Sequence, residues 1–279
     1  MTVPRAHRPA REWVLLVVAA VVVAGIAVPM WKLFGGAESL ADLQDKWTQD
    51  RLARLLLGPE QVACYFCFLW ATLILLSRMK EVARQRQAFH LELLPTEEGS
   101  RILPEDARPL ARKVDQITQR RGLFILANMI RLGLGKYAIS KSAPDVSEVV
   151  RNQAEVESSR LVASMGTVNY LCWAIPAIGF LGTVRGLAGG MSMAGSQEAE
   201  MSKFIKQATD QLGIAFDCTF VALSLSLLLM YVLHMVQRSE ETLIIDCQEY
   251  CQEHLLLRLY DPVSSVSAGV SVSEENQWR

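Results

Sequence analysis

Apolar residues gather in four windows of this 279-residue chain, and polar segments of mixed charge separate them. A helix needs ~20 residues to cross a hydrocarbon core about 30 Å thick. The pattern therefore predicts an all-α membrane protein with four transmembrane helices, at residues 13–33, 61–79, 166–193 and 212–236. Arginines precede the first window, as they do in a signal peptide, but the window is long for that role and lacks a clear small-x-small cleavage site.

Lysine and arginine flank these windows unevenly, and the bias predicts the orientation. Basic residues precede windows one and three and follow windows two and four. The opposite loops also contain basic residues, such as Arg54 and Lys206, but acidic residues dilute them, so the bias towards one side of the membrane is modest. We therefore expect a multi-pass membrane protein with both termini in the cytoplasm. The N-terminal residues 1–12 and the segments 80–165 and 237–261 would be cytoplasmic, and the loops 34–60 and 194–211 would lie on the opposite side of the membrane.

The polar segments carry helical spacing of their own. Residues 79–93 continue the second window as a charged helix, and 107–133 resume helical spacing after a break. A further helix, with Asp145 or Ser147 as candidate cap, runs into the third window. Residues 237–261 extend the fourth window as an amphipathic helix. The tail at 262–279 is rich in serine and valine without a period, which predicts disorder.

Composition argues against several classes of function. The formal net charge is −1, and acidic residues balance the basic ones along the chain, so nucleic acid is not an expected partner. There is no phosphate loop and no nucleotide fingerprint. No nucleophile, base and orienting group can be placed together, so we expect neither an enzyme nor a cofactor.

The six cysteines do not predict a disulfide framework, because four lie in predicted spans and two in a segment assigned to the reducing cytoplasm. Cys64 and Cys67 have C-x-x-C spacing, but in an apolar helix without nearby basic groups a thiol behaves as a small hydrophobe. Cys247, Cys251 and His254 share a helix face. Three ligands on one helix seldom complete a metal site, so we interpret this face as a packing surface and expect no metal.

The third window contains IPAIGFLGTVRGL at residues 175–187, where a proline, glycines, a threonine and an arginine interrupt an apolar run. Proline and glycine lower helix stability, and an arginine in hydrocarbon costs roughly 2.5–3.5 kcal/mol on insertion scales. Gly179, Gly182, Gly186 and Gly190 lie near one face of the helix. In lipid, such a glycine stripe lets two helices approach closely, so we predict that it packs against another span.

The fourth window contains LGIAFDCTFVALSLSL, with Asp217 inside the span. An intramembrane carboxylate must pair, protonate or face water, and so marks a candidate functional site. Windows three and four run antiparallel, so residues at equal depth have position numbers with a constant sum. Thr183 with Thr219 and Arg185 with Asp217 have the same sum, so a roughly symmetric loop would place each pair at one level. We predict an ion pair between Arg185 and Asp217, within or between subunits, although an arginine that snorkels to the interface is an alternative. The threonines and the charges should face different neighbours.

The sequence IPAIGFLGTVRGL followed by AFDCTFVAL resembles the paired motifs of the MotA/TolQ/ExbB proton-channel family, G-x-x-G-T-V-x-G-[LIV] and A-x-x-T-T-x-x-[GA]-L. The resemblance extends over about residues 60–255. It implies a protein of the bacterial inner membrane whose loops 34–60 and 194–211 are periplasmic. It further implies a stator-like ion-channel subunit that uses the proton motive force, or a sodium gradient, to do mechanical work on a periplasmic or envelope process. It also implies a homopentamer around two copies of a single-span ExbD/TolR/MotB-like partner. Thr183 and Thr219 match the two threonines that line the ion pathway of the family.

Three features depart from the family pattern. Arg185 occupies a position that is often aromatic or apolar, and Asp217 and Cys218 replace an apolar residue and the first threonine of the second motif. Four predicted spans resemble the motor-stator branch, whereas the glycine–threonine motif resembles the three-span TolQ/ExbB branch. The subfamily, the ion and the driven process stay open.

Two other classes of function are alternatives to the channel. A non-conducting membrane scaffold of the same fold would explain the glycines but leaves Thr183, Thr219 and Asp217 without a role. A stand-alone transporter with a proton relay through Asp217 would show inverted repeats and interrupted helices, and none is visible in the sequence.

Overall fold

The computed structural model describes residues 9–34, 58–91, 93–94, 101–194 and 201–260. The predicted N-terminal arm up to residue 8, most of the loop 34–60, part of the break before 107, the residues 195–200 of the second loop and the predicted tail lie outside the described residues.

Seven α-helices account for most of the described chain, which confirms the all-α fold class. Two short 3₁₀ turns, at Gln87–His90 and Leu256–Arg258, follow α2 and α7, and one isolated parallel bridge joins Ile102 to Leu259. The helices are α1 Pro9–Phe34, α2 Pro59–Arg86, α3 Ala107–Arg121, α4 Ile125–Ser140, α5 Ala143–Ser164, α6 Gly166–Ala194 and α7 Met201–His254.

Three helical stretches among the described residues are long and apolar enough to cross a membrane: Pro59–His90, Ala143–Met191 and Ala208–Arg258. They contain the second and fourth predicted windows and all but the last two residues of the third, so the protein is a multi-pass membrane protein. The first window lies within α1, but its described apolar part, Trp13–Gly25, is shorter than a span. A membrane crossing by the first window therefore stays a prediction.

The breaks between helices follow from backbone chemistry. Gly122 ends α3 with a φ of 100°, a conformation that favours glycine, and its N–H donates to the Thr118 carbonyl. In contrast, residues 214–261 contain neither glycine nor proline. Nothing in that stretch interrupts helical hydrogen bonding, so α7 joins the predicted fourth span, the amphipathic helix after it and part of the loop 194–211 in one helix of 54 residues.

The chain divides into two compact units. The membrane unit takes in the residues up to Arg78 and Ser164–Val236. Its apolar core includes Cys64, Ala71 and Leu75 of α2, Leu171 and Ile175 of α6, and Ala222 and Leu229 of α7.

The second unit takes in Met79–Ala163 and the residues from Gln237 onward. The hydroxyl of the fully buried Tyr137 lies 2.6 Å from the Tyr260 carbonyl oxygen and 3.1 Å from that of Ile102, and so ties two chain segments to α4. Cys247 and Cys251 are buried in this core, and the ring of His254 lies 4.4 Å from that of Tyr250.

Candidate functional site

Helices α6 and α7 approach each other closely along the glycine stripe. A Cβ added at Gly179 would overlap Ala222 Cβ, and one added at Gly182 would overlap Cys218 Sγ. At Gly186 an added Cβ would lie 2.8 Å from Ala215 Cβ and 3.1 Å from the backbone oxygen of Gln211. Only glycine therefore fits at these three positions without a shift of the neighbouring atoms.

The contact loosens towards the end of α6. At Gly190 the nearest atoms to an added Cβ, on Gln211 and Ala208, are 3.7–3.9 Å away, which is ordinary van der Waals contact. The four glycines thus face α7 at graded distances, tightest at Gly179 and Gly182. The contacts of Gly179 with Ala222 and of Gly186 with Ala215 define the register of the two helices.

Thr183 and Thr219 meet at one backbone carbonyl in this interface. Thr219 Oγ1 lies 3.3 Å from the Gly179 carbonyl oxygen across the interface and 3.2 Å from that of Ala215 on its own helix. Thr183 Oγ1 donates to the Phe180 carbonyl at 2.7 Å and lies 3.4 Å from the same Gly179 oxygen. Both residues are half-buried. The pair places two hydroxyls, each able to donate and to accept, at one depth in an apolar helix contact.

Pro176 lies four residues after Cys172 on α6 and has no N–H, so the Cys172 carbonyl lacks its usual helical donor. Ser226 of α7 supplies one instead: its Oγ donates to the Cys172 oxygen at 3.3 Å, and the serine is buried. In lipid, such a cross-helix bond is what makes a proline in a spanning helix tolerable. This bond explains the proline of the third window, and the sequence reasoning did not identify Ser226 as its partner.

We expect Ser226→Ala to lower the free energy of unfolding by about 1–3 kcal/mol, because the Cys172 carbonyl would be left buried without its cross-helix donor. The matched background is Pro176→Ala, which restores a backbone N–H to that carbonyl. In that background, Ser226→Ala should lower the free energy of unfolding much less. Thermal unfolding of the four proteins in one detergent measures the difference, and an equal cost in both backgrounds would contradict the assigned role of Ser226.

Arg185 forms an ion pair with Glu60 of α2, a residue that sequence reasoning missed. The distance from Arg185 Nη1 to Glu60 Oε1 is 2.9 Å. The Glu60 side chain is 13% exposed and that of Arg185 is 59% exposed, so the carboxylate is the inner member of the pair. Asp217 lies half-buried on α7, and its pairing with Arg185 stays a prediction.

All six cysteines are free thiols. Cys64 is buried, with its Sγ 3.7 Å from the Ile175 carbonyl oxygen, and Cys67 is half-buried against the same core. Both thiols thus lie among apolar side chains of the membrane unit, as expected of cysteines that pack as small hydrophobes.

Large apolar side chains line the outer surfaces of α6 and α7 within the membrane unit. Most are more than half exposed in the single chain, so lipid or a further protein surface must cover them. On α6 they include Tyr170, Trp173, Phe180, Leu181 and Met191, and on α7 Phe216, Phe220, Leu227 and Tyr231.

Residues 123–249 match the family model described as the MotA/TolQ/ExbB proton channel family. The matched segment contains the glycine stripe, both threonines, Arg185 and Asp217, and it leaves out α1, α2 and α3. No curated protein and no solved structure matches the chain.

Proposed function

The chain belongs to the MotA/TolQ/ExbB proton channel family through residues 123–249, and we propose on that premise that it is a stator-like ion-channel subunit of the bacterial inner membrane. With a single-span ExbD/TolR/MotB-like partner, it would couple proton or sodium flow to mechanical work on a periplasmic or envelope process. The proposal includes no enzymatic step, cofactor or metal.

The observation that carries this proposal is the convergence of Thr183 and Thr219 on the Gly179 carbonyl. A hydroxyl can pass a hydrogen bond to water, to a cation or to a partner carboxylate, and it can do so without a net charge in the membrane. The glycines bring the two helices close enough for the hydroxyls to act at one level. A scaffold would need only the close packing, so the paired hydroxyls favour conduction.

Ion flux in proteoliposomes tests the proposal. The chain would be reconstituted with and without a single-span ExbD/TolR/MotB-like protein, and a membrane potential would be imposed with potassium and valinomycin. We expect acidification of the vesicle lumen only when both proteins are present. If a stable complex forms but carries neither protons nor sodium, the non-conducting scaffold becomes the better explanation.

We further expect the purified chain to assemble as a homopentamer in mild detergent, with α6 and α7 lining a central apolar lumen. The exposed apolar surfaces of these helices and the family membership support this expectation. Native mass spectrometry measures the subunit number. A spectrum that contains only monomers and dimers would count against the pentamer.

A further inference from the structure

Glu60 stands out as a carboxylate that is largely buried among membrane helices and contributes to no part of the proposed ion pathway. It lies in the first turn of α2, and its carboxylate meets the Arg185 guanidinium at 2.9 Å. An unpaired charge at such a place is strongly unfavourable. The pair therefore links α2 to α6 and lowers the free-energy cost of the buried Glu60 carboxylate.

The same glutamate contacts the tightest part of the helix packing. Glu60 Cγ lies 3.3 Å from the point where a Cβ on Gly182 would be, and Cys218 Sγ overlaps that point. Glu60, Gly182 and Cys218 thus form a three-helix junction of α2, α6 and α7. In sequence, Thr183 follows Gly182 directly and Thr219 follows Cys218 directly, so the junction lies one residue from each threonine.

We propose that Glu60 is a positioning residue: its ion pair with Arg185 holds α2 over Gly182 and thereby keeps Thr183 and Thr219 at their shared carbonyl. Arg185 serves as the counter-charge that makes the buried carboxylate tolerable. The consequence for ion flow rests on the proposed function. Closure of the junction over Cys218 by the ion pair does not depend on the proposed function.

Because Glu60 is much more buried than Arg185, removing one side chain should open the junction to a different extent from removing the other. Loss of Arg185 leaves the Glu60 carboxylate buried without its counter-charge, whereas loss of Glu60 leaves a guanidinium that is already 59% exposed and can reach the interface. Arg185→Leu should therefore open the junction more than Glu60→Leu. The double variant should be closer to the wild type than Arg185→Leu is, because it contains no stranded carboxylate.

The native thiol of Cys218 reports on the junction in the full-length protein. It is 2% exposed, so a maleimide reaches it only after local opening. Peptide mass spectrometry resolves its alkylation rate from those of the other cysteines, and no cysteine has to be removed. We expect Arg185→Leu to raise this rate about tenfold or more, the change that 1.4 kcal/mol makes in an opening equilibrium. The fully or almost fully buried Cys247 and Cys251 of the second unit should keep their wild-type rates.

Matched variants separate the charge from the side-chain volume. Arg185→Lys keeps the positive charge and should keep Cys218 protected, whereas Arg185→Gln should not. Lys206→Leu removes an exposed cation elsewhere on α7 and should leave the rate unchanged. If Arg185→Leu proves too unstable to purify, comparing Arg185→Lys with Arg185→Gln still tests whether the positive charge protects Cys218. Wild-type protection in Arg185→Gln, or simple additivity of Glu60→Leu and Arg185→Leu, would overturn the proposal.

A second cycle, with Arg185→Leu and Asp217→Leu, tests the pair that the sequence predicts. A coupling of Arg185 to Asp217 larger than its coupling to Glu60 would also overturn the assignment of Glu60. Ion flux of the same variants is measured separately. A wild-type complex without flux contradicts the proposed function, and the alkylation of Cys218 still decides whether Glu60 positions the junction.

Discussion

Replacing Gly179 by alanine is expected to lower the stability of the membrane unit more than the same change at any other position of the glycine stripe. The new methyl would overlap Ala222 Cβ, and a Cβ cannot rotate away as a longer side chain can. The two helices would have to separate, at a cost of about 1–3 kcal/mol for overpacking. Because Thr219 donates to the carbonyl of this same glycine, separation should also reduce ion flux.

The graded contact predicts a rank order for the four alanine variants. At Gly186 the close atoms include the Gln211 backbone oxygen at 3.1 Å, so the cost should be close to that at Gly179. At Gly182 the overlapping atom is the Cys218 sulfur, which can rotate, so the cost should be smaller. Gly190→Ala is the matched control. It meets nothing closer than 3.7 Å, and alanine favours a helix over glycine by up to about 1 kcal/mol.

Melting temperatures of the four variants in one detergent, together with the assembled fraction from size-exclusion chromatography, provide the measurement. If Gly179→Ala and Gly190→Ala melted together, the close approach of α6 and α7 at Gly179 would be refuted. The stripe would then serve some purpose other than helix contact.

How much the sequence could predict depends on the range of the interactions. Apolar windows identify spans because hydrocarbon thickness acts on each helix separately. An equal level for Thr183 and Thr219 can be predicted from antiparallel geometry and a symmetric loop. In contrast, the partners of Pro176 and Arg185 depend on which side chain of another helix lies opposite. Ser226 and Glu60 are separated from these residues by 50 and 125 positions, and no periodic pattern encodes such a pairing.

Glu60 also shows how a local rule can hide the partner of a charged residue on another helix. An acidic residue in the first turn of a helix is common, because it interacts favourably with the partial positive charge of that end. Glu60 fits this description, so its position along the chain gave no sign that it pairs with a charge on another helix. Its counter-charge on α6 becomes visible only when α2 is placed beside Gly182 and Cys218. The continuity of α7 followed more directly, from the lack of glycine and proline after Gly213.

Thr183→Val and Thr219→Val are each expected to reduce ion flux by about tenfold to a hundredfold while assembly is retained. Valine has nearly the shape of threonine but cannot donate or accept a hydrogen bond. Hydrogen bonds to charged groups contribute about 1.5–3 kcal/mol, and each 1.4 kcal/mol corresponds to a factor of ten. Thr219→Val should have the larger effect, because its hydroxyl is the one that bonds across the interface to Gly179.

The serine variants separate the hydroxyl from the methyl group. Thr183→Ser and Thr219→Ser keep the hydroxyl and lose only a methyl, so flux should stay near the wild-type value even if stability falls slightly. Flux is measured in proteoliposomes that contain the partner, at matched protein density and with the oligomer verified in each sample. Full flux in both valine variants would assign the threonines to helix packing, since packing needs their shape and conduction needs their hydroxyls. Loss of flux in the serine and valine variants alike would implicate the methyl contacts and equally contradict a hydroxyl pathway.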